Sequence, residues 1–250
     1  MPDPLPSLRG KTALVTGAAK RIGAAIATAL ADEGANIVVH CGTSREEADA
    51  TAVEIRKRGV QAWVLPADLG RPAEAEALFP QATAAAGPID LLINSAAIFP
   101  ESHLLSFTVE ELHTSLQVNA LSPLFLARAF AQQKRPGAIV NFLDTRYLDY
   151  DKLHAAYHLS KRMMFTLTRM LALELAPAIR VNAVAPGLIL PPPGKDESYL
   201  TALVNTNPLQ RVGSVQAVVE AVLFLLRSDF ITGQVIFVDG GRHMRSATYG

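Results

Sequence analysis

Short apolar runs alternate with helical stretches along this chain. The segments 11–16, 36–40, 61–65, 89–93, 138–143, 179–184 and 234–238 each read as a short buried strand. Helical patterns occupy 45–58, 72–86, 108–133 and 215–226, and another carries Tyr157 and Lys161. Strands separated by helices pair in parallel, because a parallel pair needs a crossover and the helix supplies it. The expected fold class is α/β: a doubly wound parallel sheet of about seven strands flanked by helices. No repeat, linker or break in composition divides the 250 residues, so 1-250 is expected to form a single domain.

In such Rossmann-type sheets, ligands bind outside the carboxyl ends of the strands. The first strand runs into Gly17-Ala-Ala-Lys20-Arg21-Ile22-Gly23 and then an Ala-rich helical stretch. Backbone N–H groups of a glycine turn and a helix start can hold a pyrophosphate. With only two glycines, the segment also fits a plain strand–helix turn. The second strand ends in His40-Cys41-Gly42-Thr43-Ser44-Arg45 and offers no acid where NAD-binding proteins commonly place one for the ribose. The missing acid and the nearby Lys20, Arg21 and Arg45 favour the 2′-phosphate of NADP, although the same cations also fit solvated surface charge. The third strand ends in Asp68-Leu69 and the fourth in Asn94-Ser95-Ala96-Ala97, where small residues let a flat cofactor lie against the backbone. The sixth ends in Pro186-Gly187, followed by an irregular loop at 188–196.

Asp144 lies just past the fifth strand. Tyr157 and Lys161, four residues apart, share one helix face. A free phenol with a pKa of about 10 is a poor acid–base group at neutral pH. A cation about 4 Å away favours the phenolate by several kcal/mol at an effective dielectric of ~20. The expectation is a tuned proton donor with Asp144 beside it; alone, the pair also fits an ordinary amphipathic helix. Asn119 sits in the apolar run 116–130 and needs partners there, as a satisfied core amide or as part of a proton relay.

A formal net charge of zero argues against nucleic-acid and anionic-membrane partners. No apolar run is long enough to span a bilayer, and the lead-in 1–10 lacks a signal-peptide core. The single cysteine, Cys41, rules out an intrachain disulfide. A soluble cytoplasmic protein is expected, and no metal site.

Taken in order, these segments resemble the short-chain dehydrogenase/reductase family over essentially the whole length. They are Thr16-Gly17 to Gly23, Asp68-Leu69, Asn94 to Ala97, Asn119, Tyr157-x-x-x-Lys161, Pro186-Gly187 and Ile231 to Gly240. The resemblance implies NAD(P) binding and hydride transfer, with a proton relay through Tyr157, Lys161 and Asn119. Lys161 would lower the Tyr157 pKa and hold the nicotinamide ribose. Two departures resemble the pteridine reductases: Lys20-Arg21 in the glycine turn, and Asp144 where the family usually has Ser. Phe99 matches the aromatic those enzymes stack against the pterin, and Arg21 would reach the substrate. Leu188 would line the same side. The subgroup's basic residue near Gly42 and Thr43 is missing, leaving Lys20, Ser44 and Arg45 for a 2′-phosphate.

The expected activity is therefore NADPH-dependent reduction of a pterin, dihydropterin or dihydrofolate-like ring. A carbonyl reductase of the same family, such as a 3-oxoacyl thioester reductase, is the first alternative. A non-catalytic dinucleotide-binding regulator is the second. Family resemblance also implies a homotetramer, supported by apolar surplus at 163–175 and 218–226.

Overall fold

The computed structural model describes residues 6–147, 150–192 and 194–244. Part of the lead-in (1–5), the C-terminal end of the expected 1-250 domain (245–250) and Pro193 of the 188–196 loop lie outside the described residues. The strands are β1 (Thr12–Thr16), β2 (Asn36–Cys41), β3 (Ala62–Pro66), β4 (Leu91–Asn94), β5 (Gly137–Phe142), β6 (Ile179–Pro186) and β7 (Val235–Val238). They form one sheet in the order β3-β2-β1-β4-β5-β6-β7, with every neighbour parallel. The order reverses between β1 and β4, so connections leave their carboxyl ends in opposite directions and open a crevice there.

The principal helices are α1 (Arg21–Asp32), α2 (Arg45–Arg56), α3 (Pro72–Ala86), α4 (Val109–Leu116), α5 (Ser122–Gln132), α6 (Ala155–Glu174), α7 (Glu197–Thr201) and α8 (Val215–Arg227). Alternate side chains of one strand point to opposite faces. Ala13 and Val15 of β1 pack with α1, α2 and α8, while Leu14 packs with α3, α5 and α6. Both faces are covered, which is why the strands read as unbroken apolar runs. Within 108–133, α4 and α5 meet in a π-helical turn at Gln117–Leu121. Pro123 lacks the N–H that would bond the Asn119 carbonyl in an α-helix, which accounts for the widened turn.

A row of polar groups crosses the buried strand ends. Register places Thr16 opposite Asn94 and Asn94 opposite Asn141. Thr16 Oγ1 accepts from Ser95 N and Ala96 N at 3.0 and 3.1 Å. Asn94 Nδ2 donates to Asn141 Oδ1 at 2.8 Å, and Asn141 Nδ2 to Thr168 Oγ1 of α6 at 3.0 Å. Partnered polar groups fix register in a way apolar contacts do not, so the crevice walls and α6 are locked together. No helix among the described residues is long and apolar enough to cross a membrane.

Candidate active site

The crevice at the β1–β4 switch has the shape of a phosphate cradle. Gly17 has φ +65°, and a Cβ there would lie 2.9 Å from the Ala96 Cα. A Cβ on Gly23 would lie 2.2 Å from the Gly17 carbonyl oxygen, so α1 starts directly against the turn. Lys20 caps α1 without a side-chain bond and the first turn carries no acid. The N–H groups at that helix start therefore remain available to an anion. His40 fixes the turn from behind. Its Nδ1 accepts from Gly17 N at 3.1 Å and its Nε2 donates to Ala67 O at 3.0 Å, tying the ends of β1, β2 and β3 together. Burial lowers its pKa to about 4, against the Ala67 bond, so the ring is neutral at pH 7.

At the outer end, Ser44 caps α2 with its hydroxyl unused by the helix. Lys20 pairs with Glu47 at 3.5 Å and Arg45 with Asp49 at 2.9 Å, all more than half exposed. A 2′-phosphate would compete with these acids, but exposed pairs of this kind are weak. Asp68 is exposed and accepts from Gly70 N at 2.8 Å. The Leu69 carbonyl accepts from Ser122 Oγ at 2.8 Å, fixing the β3 end to α5. Gly187 donates to Val238 O at 3.0 Å, and a Cβ there would lie 2.7 Å from the Asp239 Cα. Leu188, next in line, is buried.

On the other wall, α6 presents Tyr157 and Lys161, both buried, to the end of β5. Tyr157 Oη donates to Asp144 Oδ2 at 3.0 Å. Lys161 Nζ donates to Phe142 O at 2.8 Å and lies 5.7 Å from the Tyr157 ring centroid. Burial, then the charge and hydrogen bond of Asp144, then the charge of Asp151 raise the phenol well above its usual range. Burial lowers Lys161 to about 8, with Asp144 opposing. The expectation that Lys161 brings the phenol down toward neutrality is corrected: burial and the carboxylate win, and Tyr157 is held as a protonated donor.

Sequence comparison matches residues 17–243 to the family described as enoyl-(acyl carrier protein) reductase. Versicolorin reductase stcU of Emericella nidulans is 36% identical over 253 residues, covering 94% of this chain and 96% of that protein. The chain belongs to the short-chain dehydrogenase/reductase family. Its fold superposes on FolM alternative dihydrofolate reductase 1 from Brucella canis, crystallised with NADP, with a TM-score of 0.91 and 34% identity. That match covers 96% of each chain. The promiscuous reductase LugOII, which catalyses keto-reduction at C1 during lugdunomycin biosynthesis, superposes with a TM-score of 0.88 at 30% identity. It covers 96% of this chain and 100% of the other.

Two residues singled out in the sequence, Arg21 and Asn119, make further contacts around the site. Arg21, at φ +58°, donates from Nη2 to Pro191 O at 2.6 Å, so its guanidinium is tied to the chain just after β6. Asn119 Oδ1 accepts from Ile98 N at 2.9 Å, while Nδ2 donates to Ile98 O and Ser160 Oγ at 3.0 Å each. The side-chain amide thus fastens the 94–99 segment to α6, with one lone pair of Oδ1 still open. Phe99 does face the site, edge to face with Tyr157 at 4.6 Å, but His154 stacks on one of its faces at 3.8 Å. Sequence reading missed His40, His154, Asp151 and Asp239. Asp239 Oδ2 accepts from Thr145 Oγ1 and from His243 N at 2.8 Å, pinning the C-terminal turn to the segment after Asp144. The only signal for His154 and Asp151 was their position just before Tyr157.

Proposed function

We propose that this chain is an NADPH-dependent reductase of a pterin, dihydropterin or dihydrofolate-like ring. The observation that carries the reading is the 3.0 Å bond from Tyr157 Oη to Asp144 Oδ2. Reduction of a ketone builds negative charge on oxygen, which a neighbouring carboxylate disfavours. Reduction of a C=N bond needs a proton on ring nitrogen, and a phenol held protonated by a carboxylate suits that task. Phe99, exposed beside Tyr157, offers a flat ring an aromatic wall.

Bound NADPH supplies the hydride. Gly17, Lys20, Arg21, Ile22 and Gly23 would hold its pyrophosphate, and Lys20, Ser44 and Arg45 its 2′-phosphate. Asp68, Leu69, Asn94, Ser95 and Ala96 would line the adenosine side, and Tyr157, Lys161, Pro186 and Gly187 the nicotinamide side. Tyr157 turns its hydrogen from Asp144 to the substrate nitrogen and becomes a phenolate facing the Lys161 ammonium. Asp144 is the adjacent group through which a proton returns. Leu188 and Arg21 close the substrate side.

A carbonyl reductase is the second reading, favoured by the likeness to versicolorin reductase and to LugOII. Steady-state rates with NADPH on a panel of oxidised and dihydro pterins, aryl ketones and 3-oxoacyl thioesters separate the two. Ketone turnover without pterin turnover would sink the first.

A cytoplasmic homotetramer completes the reading. Leu159, Met170 and Leu173 are exposed along α6, which supports packing between copies. The surplus expected at 218–226 is mostly spent inside the chain, where Val218, Val219, Val222, Leu225 and Leu226 are buried. Light scattering that gave a monomer at micromolar concentration would refute the assembly.

A further inference from the structure

A ring of contacts runs around the proton donor. Asp144 Oδ1 accepts from Arg146 N at 2.7 Å. Arg146 Nη1 donates to Asp151 Oδ2 at 2.7 Å. Asp151 Oδ1 accepts from Leu153 N at 2.8 Å and meets His154 Nδ1 at 2.9 Å. The His154 ring lies on Phe99 with 3.8 Å between centroids and 15° between planes. Phe99 stands at 86° to Tyr157 with centroids 4.6 Å apart, and Tyr157 returns to Asp144. His158 closes the back of the ring, its Nε2 accepting from Asp151 N at 3.2 Å.

The loop bearing Phe99 is stapled to the same place. Ser102 N donates to Leu153 O at 2.6 Å, and Ala155 N donates to Ser102 O at 2.9 Å. The Ser102 hydroxyl accepts from Ala156 N at 3.0 Å. His154, the N-cap residue of α6, makes no capping bond of its own. Ser102 therefore caps α6 from a distant loop, and the His154 side chain is free to turn toward Asp151 and Phe99. Burial pushes Asp151 up, but its bonds from His154 and Leu153 bring it down to about 2.

The geometry points to His154 and Asp151 as positioning residues that set the aromatic wall of the substrate site. Asp151 fixes the His154 ring, His154 backs Phe99, and Phe99 is thereby held upright beside Tyr157. Neither residue touches the reacting atoms. This inference rests on the proposed substrate side of the site, but it concerns any flat substrate that meets Phe99. A stacked aromatic pair contributes on the order of 0.5–1.5 kcal/mol beyond burial, which converts to roughly a 3–10-fold effect on binding.

The test measures KM, kcat and NADPH affinity on whichever flat substrate the wild type reduces, pterin or aryl ketone. His154→Ala should raise KM about 3–10-fold while kcat and NADPH affinity stay within about twofold. His154→Phe keeps the stacked ring without the bond to Asp151, and should restore KM. Asp151→Ala should raise KM in the native background and add little to His154→Phe, since coupled residues are non-additive. Should His154→Ala fail to fold, Asp151→Ala carries the same comparison: a raised KM with intact NADPH binding supports the ring. An unchanged KM in the folded variant, or a His154→Phe enzyme as poor as His154→Ala, overturns it. Turnover of ketones alone would defeat the pterin reading without touching this one, because the KM comparison then runs on the ketone.

Discussion

Replacing Asp144 by Ser restores the residue usual in this family, and the structure says what is lost. The carboxylate accepts from Tyr157 Oη at 3.0 Å and from Arg146 N at 2.7 Å. It also raises the phenol, after burial, and partly offsets the burial that lowers Lys161 to about 8. Without it, Tyr157 loses both its anchor and a cause of its raised pKa, and Lys161 falls below about 8. Misplacing a general acid costs about 10²–10⁴-fold, or roughly 3–5 kcal/mol of barrier. Pterin turnover should drop by that factor in stopped-flow or steady-state assays with NADPH. The alkaline limb should also move to lower pH, because Lys161 then gives up its proton earlier. NADPH affinity at pH 6.5, measured by calorimetry, should change little, since the carboxylate lies on the substrate side. Undiminished pterin turnover in Asp144→Ser would refute the reasoning and leave Asp144 an incidental substitution.

Thr43→Asp places a carboxylate beside Ser44 at the start of α2 and should shift preference toward NADH; equal or tighter NADH binding by the unaltered protein would remove the basis for this. His40 should carry an acid-sensitive part of stability. Its folded pKa of about 4 lies below the ordinary 6.5, so stability is full above pH 6.5 and falls by up to about 3 kcal/mol as pH drops to 4. His40→Gln should flatten that stretch of the urea-midpoint profile, and an unchanged slope would count against the assignment.

The strands and the glycine cradle were legible because each depends on local sequence. Seven apolar runs forecast seven strands, with no end moved by more than two residues, as where 89–93 became Leu91–Asn94. Gly17 and Gly23 announced a close approach that the Ala96 and Gly17 backbone atoms account for. The short helix α7 went unforeseen, since five residues carry too little periodicity. The ring around Asp151 was not legible for a different reason. It joins residues from the ends of β4 and β5 and the start of α6, and no spacing rule links Phe99 or Ser102 to His154.

The pair at Tyr157 and Lys161 shows where spacing stops being informative. An interval of four places both groups on one face of α6, and this held. It does not say which charge the phenol feels most. That depends on burial and on a residue from another element. Lys161 spends its hydrogen bond on Phe142 O, while Asp144 takes the phenol's own hydrogen. Burial and the directly bonded carboxylate together outweigh the ammonium, and the phenol stays protonated. A donor held in that state suits reduction, where a proton must be given up. Oxidation, where the phenol would have to accept one, is disfavoured by the same contact.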